Sequence, residues 1–191
     1  MDGSALDAMH TPPWIGPEAL QRQESDLRLC AWLQSPGLLT QRIRETVGDA
    51  FSFEALREYS TAAAHVREVA LRAGEAVWVV GRTTIPLAGL RRAAWLAEVG
   101  SVPIGEALQA RVSGLERSPF EFCRIPAGHE FAYLALGIMG LERPWIWVRR
   151  SRFQVDGALL EIHEAFNPGI GVLGPEAAPA TETCRSARQG G

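Results

Sequence analysis

The sequence predicts an α+β fold with a central antiparallel sheet. Two observations carry this reading. Strand-like segments come in adjacent pairs joined by tight turn signals, at 66–71 with 76–85 and at 144–155 with 158–166. Helical segments stand before and between these pairs rather than alternating with single strands, which argues against a doubly wound parallel sheet. We find no internal repeat.

Residues 1–22 are mixed in character, with Pro12-Pro13 and Gly16-Pro17, and are expected to form a flexible arm. The domain proper is expected over 23–173. A helix is predicted over 26–34, with Leu27, Cys30, Ala31 and Leu33 apolar, ending at Ser35-Pro36-Gly37. A second helix runs over 38–47, where Leu39, Ile43 and Val47 recur every four residues. Residues 51–59 fit either a strand or a short helix. The first hairpin turns through Arg72-Ala73-Gly74-Glu75 and stops at Pro86. A helix over 87–99 places Leu90, Ala94 and Ala97 inward and closes at Gly100. A short helix over 106–112 follows Pro103-Ile104-Gly105, and 120–125 reads as a strand. The Gly and Ala content of 126–140 permits helix or loop. The second hairpin turns at Asp156-Gly157, a strong signal. From 174 to 191 large apolar residues are almost absent, so a disordered tail is expected.

With 191 residues, one domain with a sizeable core is possible. Net charge is −3, which gives no general basic surface for nucleic acid. All 19 basic residues are Arg, since Lys is absent. Cys30, Cys123 and Cys184 are far apart and form no CxxC, so zinc-ribbon and redox motifs are excluded and a reducing compartment is expected. The N-terminus lacks a signal-peptide pattern, and the most apolar window, 131–141, is too short to span a bilayer. A cytoplasmic protein without membrane insertion is expected. His10, His65, His129 and His163 show no metal-ligand spacing. Neither GxSxG, GxGxxG nor P-loop patterns occur.

The candidate site rests on two misplaced charges. With period 2, Glu164 shares a strand face with Leu160, Ile162 and Phe166. An ionised carboxylate there is costly unless a partner compensates. Arg82 ends the apolar run 76–81, and its planar fork suits a carboxylate. One acid and one base, each closing an apolar strand, suggest a closed cavity for a small polar anion. The plainer alternative is an Arg82 that snorkels to solvent and a Glu164 in an ordinary ion pair. Arg149-Arg150-Ser151-Arg152 is a dense basic cluster in a strand. Arg150 and Arg152 share a face with Ile146 and Val148, whereas Arg149 shares one with Trp145 and Trp147. Such a cluster is either a solvated edge or a holder of a second anionic group.

Taken in order, several segments resemble the chorismate pyruvate-lyase family. They are Trp32-Leu33 with Leu38-Leu39-Thr40 and Arg42, then Gly81-Arg82-Thr83-Thr84-Ile85-Pro86, and Pro103-Ile104-Gly105. Arg149-Arg150-Ser151-Arg152-Phe153 follows, then Leu159-Leu160 through Glu164 to Phe166 and Pro168. The resemblance spans about 26–168. It implies an antiparallel sheet with packed helices, and helical flaps over an enclosed ligand. It implies elimination of pyruvate from chorismate to give 4-hydroxybenzoate, a first step toward ubiquinone, with no metal or organic cofactor; a monomer is expected. It places the ligand-binding Arg on Arg82 and the binding Glu on Glu164, both catalytic. Backbone contacts fall on Leu39 and Ile104, and Arg150 is expected to hold the enolpyruvyl carboxylate. The stretch 125–140 matches poorly and leaves one cavity wall undefined. Tight product retention behind the flaps is a further implication. The alternative is a non-catalytic domain of the same fold that senses or carries a small aromatic acid. Regulators of that kind usually carry a DNA-binding domain, for which the roughly 25 residues before the matched region are too few.

Overall fold

A computed structural model describes residues 13–172. Helix α1 (Pro17–Gln23) and helix α2 (Leu27–Leu33) lead into α3 (Leu39–Val47) and a 3-10 turn. Strands β1 (Phe51–Ser60), β2 (Ala64–Ala73) and β3 (Ala76–Pro86) form a meander. A short helix α4 (Leu87–Leu90), a 3-10 turn (Ala94–Ala97) and α5 (Ile104–Arg111) come next. Strands β4 (Glu116–Arg117) and β5 (Glu121–Pro126), helix α6 (Glu130–Met139) and strands β6 (Trp145–Val155) and β7 (Ala158–Phe166) complete the order. All strand pairs are antiparallel, in the order β1-β2-β3-β7-β6-β4, with β5 on the same edge of β6. The fold is the expected α+β class.

The sheet has two covered faces. On one, α1 to α3 pack over Leu71, Val79, Trp147 and Phe166 as one apolar cluster. A second cluster on that face gathers Ile85, Leu108, Phe153 and Leu160, with Ile104 of α5 against it. On the other face α6 packs over Val80, Val148 and Ala165. The two clusters on the first face do not merge. The gap between them is the site described below.

Four segments differ from, or decide, the sequence expectation. Residues 13–22 are docked rather than a free arm: Ile15 bridges Phe122 through backbone hydrogen bonds, and Leu20 is fully buried. Residues 1–12 and the expected tail at 174–191 lie outside the described residues. Residues 51–59 are strand. The helix expected over 87–99 is broken at Ala93 (φ −127°, ψ 59°). Here Arg92 donates to the Gly157 carbonyl at 3.2 Å and Trp95 Nε1 to Asp156 at 3.4 Å. Tying the segment across the β6–β7 turn replaces continuation of the helix. Lastly, 130–139 is helical, capped by the His129 side chain and closed by Gly140 in the left-handed region.

Asp26 caps α2, accepting from the N–H groups of Arg28 (2.9 Å) and Leu29 (3.1 Å). It also pairs with Arg28, whose guanidinium holds the Pro168 carbonyl at 3.1 Å. Asp26→Ala is therefore expected to cost about 1 kcal/mol in chemical denaturation. The Leu29 N–H holds this carboxyl below its usual range, against some desolvation. Its contribution is present at neutral pH and lost as the pH falls below the ordinary aspartate value.

Candidate active site

The gap between the two apolar clusters is a cavity of about 80 Å³. That is small beside pockets for drug-sized ligands, so the space suits only a small molecule. Its floor is the sheet: Arg67 from β2, Thr83 from β3, Glu164 from β7 and Arg149 from β6. Its roof is two flaps, residues 37–40 and 103–105. The flaps touch where Gly105 meets Leu38, and a Cβ on Gly105 would lie 2.6 Å from Leu38 Cδ2. A larger residue there would push the Leu38 side chain aside. Arg44 of α3 pairs with Glu106 of α5 at 3.1 Å and latches the same flaps from outside.

Each flap delivers the start of a helix to the cavity. Leu39 opens α3 and Ile104 opens α5, and neither start has a side-chain cap. First-turn N–H groups lack intrahelical partners, so both starts offer donors to ligand oxygens.

The charges are unequal. Arg149 is 1% exposed and is fully engaged: Nε donates to Glu164 Oε2 at 2.6 Å, and Nη1 donates to the Leu33 and Ser35 carbonyls, each at 3.1 Å. Arg67 is 3% exposed, donates through Nη2 to the Gly100 carbonyl, and leaves a buried Nε with no hydrogen-bond partner. Arg117 of β4 donates to the Gly37 carbonyl at 3.1 Å and stacks on Phe120. Desolvation lowers the basicity of Arg67 and Arg117, and the neighbouring Arg149 charge lowers that of Arg117 further. Guanidinium nonetheless stays cationic. Three cations face one carboxylate, so the cavity favours an anion.

Glu164, Leu39 and Ile104 line this cavity. Arg82 and Arg150 do not, and the expectation for both needs correction. Arg82 pairs across β2–β3 with Glu68, which is fully buried on the opposite face of the sheet. It reaches Glu68 at 2.6 Å and Glu130 of α6 at 2.9 Å, and it stacks over Phe131. Arg150 lies on that same far face, paired with Glu121 at 2.9 Å and stacked on Trp14. Alternation decides both cases, because Gly81 and Arg149 are the residues directly beside Glu164. Helix α6 covers the far face, so 125–140 forms no cavity wall.

The residues that sequence reasoning missed are Arg67, Arg149 and Arg117. A signal existed for Arg67, which alternates with Val69 and Leu71 along one strand face. A stronger one existed for Arg149. The two-residue turn at Asp156-Gly157 pairs Val155 with Ala158, and counting back pairs Arg149 with Glu164. Among the described residues, no group of three or more His, Cys, Asp and Glu side chains is arranged to hold a metal ion. No helix there is long and apolar enough to cross a membrane.

The chain thus combines an α+β sheet with two flaps that meet over an arginine-rich cavity holding one carboxylate. The model of the family described as chorismate lyase matches residues 51–170. The chain belongs to the chorismate lyase family. It is 31% identical over 156 residues to a Coxiella burnetii protein described as "probable chorismate pyruvate-lyase", covering 73% of this chain and 83% of that one. Proteins of the same description from Thiobacillus denitrificans (30% identical; 82% and 89% covered) and Pseudomonas entomophila (33%; 74% and 83%) are similar too.

His163 tests the two-faced assignment. It faces away from Glu164, between Trp14 and Phe131, with ring centroids at 5.4 and 6.2 Å. Burial pushes its pKa down to about 4; Glu161 opposes this shift, and Arg150 and Arg82 add to it. A depressed value means that the folded state resists protonation, so stability is full above the unfolded value and falls as the pH drops from about 6.5 toward 4. In His163→Gln that decrement is expected to disappear. A difference in unfolding free energy between the two proteins that does not vary over this range would contradict a buried, neutral His163.

Proposed function

We propose that the protein is a chorismate pyruvate-lyase, releasing 4-hydroxybenzoate and pyruvate from chorismate. The observation that carries this reading is the buried, partnerless Nε of Arg67 in a partly enclosed cavity shared with Glu164. Buried donors are nearly always satisfied, and a ligand carboxylate satisfies this one with a charge-assisted bond.

In this reading Arg67 holds the ring carboxylate. N–H groups at the starts of α3 and α5, around Leu39 and Ile104, contact ligand oxygens. Glu164 accepts from the 4-hydroxyl and assists loss of the C4 proton. The ether bond at C3 breaks, the ring becomes aromatic, and the proton is finally carried on the methyl carbon of pyruvate. Aromatisation supplies the driving force, so the site needs positioning and charge stabilisation rather than a strong nucleophile. Arg149 fixes Glu164 in place. A flat aromatic anion fits the same groups, so flap opening is the slow step and 4-hydroxybenzoate is held tightly. The family supports 4-hydroxybenzoate as the product, and with it a place at the head of ubiquinone synthesis.

The test is to incubate purified protein with chorismate and follow both products by chromatography. Equimolar 4-hydroxybenzoate and pyruvate are expected. Arg67→Gln and Glu164→Gln are each expected to lose about 100-fold or more in turnover. Arg82→Lys, altered on the far face, is expected to keep it. Binding of 4-hydroxybenzoate without turnover would make the protein a sensor or carrier instead.

A further inference from the structure

The cavity holds more positive charge than one carboxylate requires. Of its three arginines, Arg149 has a carboxylate partner in Glu164, whereas Arg67 and Arg117 have none among the described residues. These two enter from opposite sides. Arg67 stands on β2 and Arg117 on β4, with β3, β7 and β6 between them. Four strand spacings separate their backbones by about 19 Å, and Glu164 stands between them on β7 and lines the same cavity. Arg117 shares the cavity face because it pairs with Phe153, a lining residue. Its guanidinium is steadied by the Phe120 ring, 4.2 Å from its centroid, and by the Gly37 carbonyl of the first flap.

We propose that Arg117 is the second anion-binding residue of the site and holds the enolpyruvyl carboxylate of chorismate. The inference rests on the lyase reading and deepens it. With the ring carboxylate on Arg67 and the 4-hydroxyl at Glu164, the C3 substituent extends toward the β4 edge, where Arg117 lies. A dianion balances the cavity's two uncompensated cations. Holding the leaving group's carboxylate orients the C3–O bond that breaks and offsets charge as enolpyruvate departs. The same contact joins substrate to the Gly37 flap, so the flap senses the side chain that the product lacks. Arg150, expected from sequence to fill this role, is committed to Glu121 on the other face.

The discriminating feature is that chorismate carries the second carboxylate and 4-hydroxybenzoate does not. The experiment measures kcat/KM for chorismate and the inhibition constant of 4-hydroxybenzoate in wild type, Arg117→Gln and Arg117→Lys. Arg117→Gln is expected to lower kcat/KM about 10- to 100-fold, the range for a charge-assisted bond, while product inhibition stays nearly constant. Arg117→Lys keeps the charge but not the fork and is expected to recover part of the loss. Parallel weakening of substrate and product would mean that Arg117 merely latches the flap, and would overturn the assignment, as would unchanged kinetics. A wild-type protein that releases no pyruvate would overturn the lyase reading itself.

Discussion

Arg149 and Glu164 face each other on neighbouring central strands, and both are largely withdrawn from water. Removing one partner of such a pair costs about 3–5 kcal/mol, because a buried charge is left behind. The pair also sets where everything else in the site sits. The Arg149 guanidinium reaches past the sheet to the Leu33 and Ser35 carbonyls at the end of α2. Those carbonyls anchor the turn that becomes the first flap. One side chain thus orients the carboxylate on the floor and fixes the root of the roof. Replacing a buried ion pair with apolar residues is often neutral or stabilising, so its presence points to the site rather than to stability.

The sheet separates two kinds of electrostatics. On the far face the charges are closed in on themselves: Glu68 with Arg57 and Arg82, and Glu121 with Arg150 and Arg152. That face is finished chemistry, sealed under α6 and Trp14. On the cavity face the books do not balance, because Arg67 and Arg117 lack carboxylate partners among the described residues. A buried guanidinium without a carboxylate partner, as at Arg67, is expensive in a core and useful in a binding site, and the more exposed Arg117 adds its charge at the cavity's edge. The family match and the cavity therefore point the same way from independent directions.

The hairpins, the helices at 26–34 and 38–47 and the isolated Glu164 could all be read from residue pattern, because period and turn chemistry are local. Arg82 could not be placed the same way. From the Gly74-Glu75 turn, regular pairing would set Arg82 opposite Arg67, on one face with buried Trp78. A bulge intervenes: Leu71 pairs with Val79 and Arg72 with Val77, leaving Trp78 as the extra residue. One inserted residue turns every later side chain of β3 to the other face. It sends Arg82 to Glu68 and leaves Arg67 beside Thr83. The bulge depends on packing around Trp78, which no local pattern records. Likewise the break at Ala93 depends on contacts with Asp156 and Gly157, far away in sequence.

The central claim is that the Arg67–Glu164 face of the sheet, not the Arg82 face, binds the aromatic anion. A crystal structure of the protein with 4-hydroxybenzoate tests it most directly. The account places the ligand carboxylate against Arg67 Nε and its hydroxyl at Glu164, beneath closed flaps. Ligand seated against Arg82 and Glu130, or a cavity left empty at saturating 4-hydroxybenzoate, would contradict it.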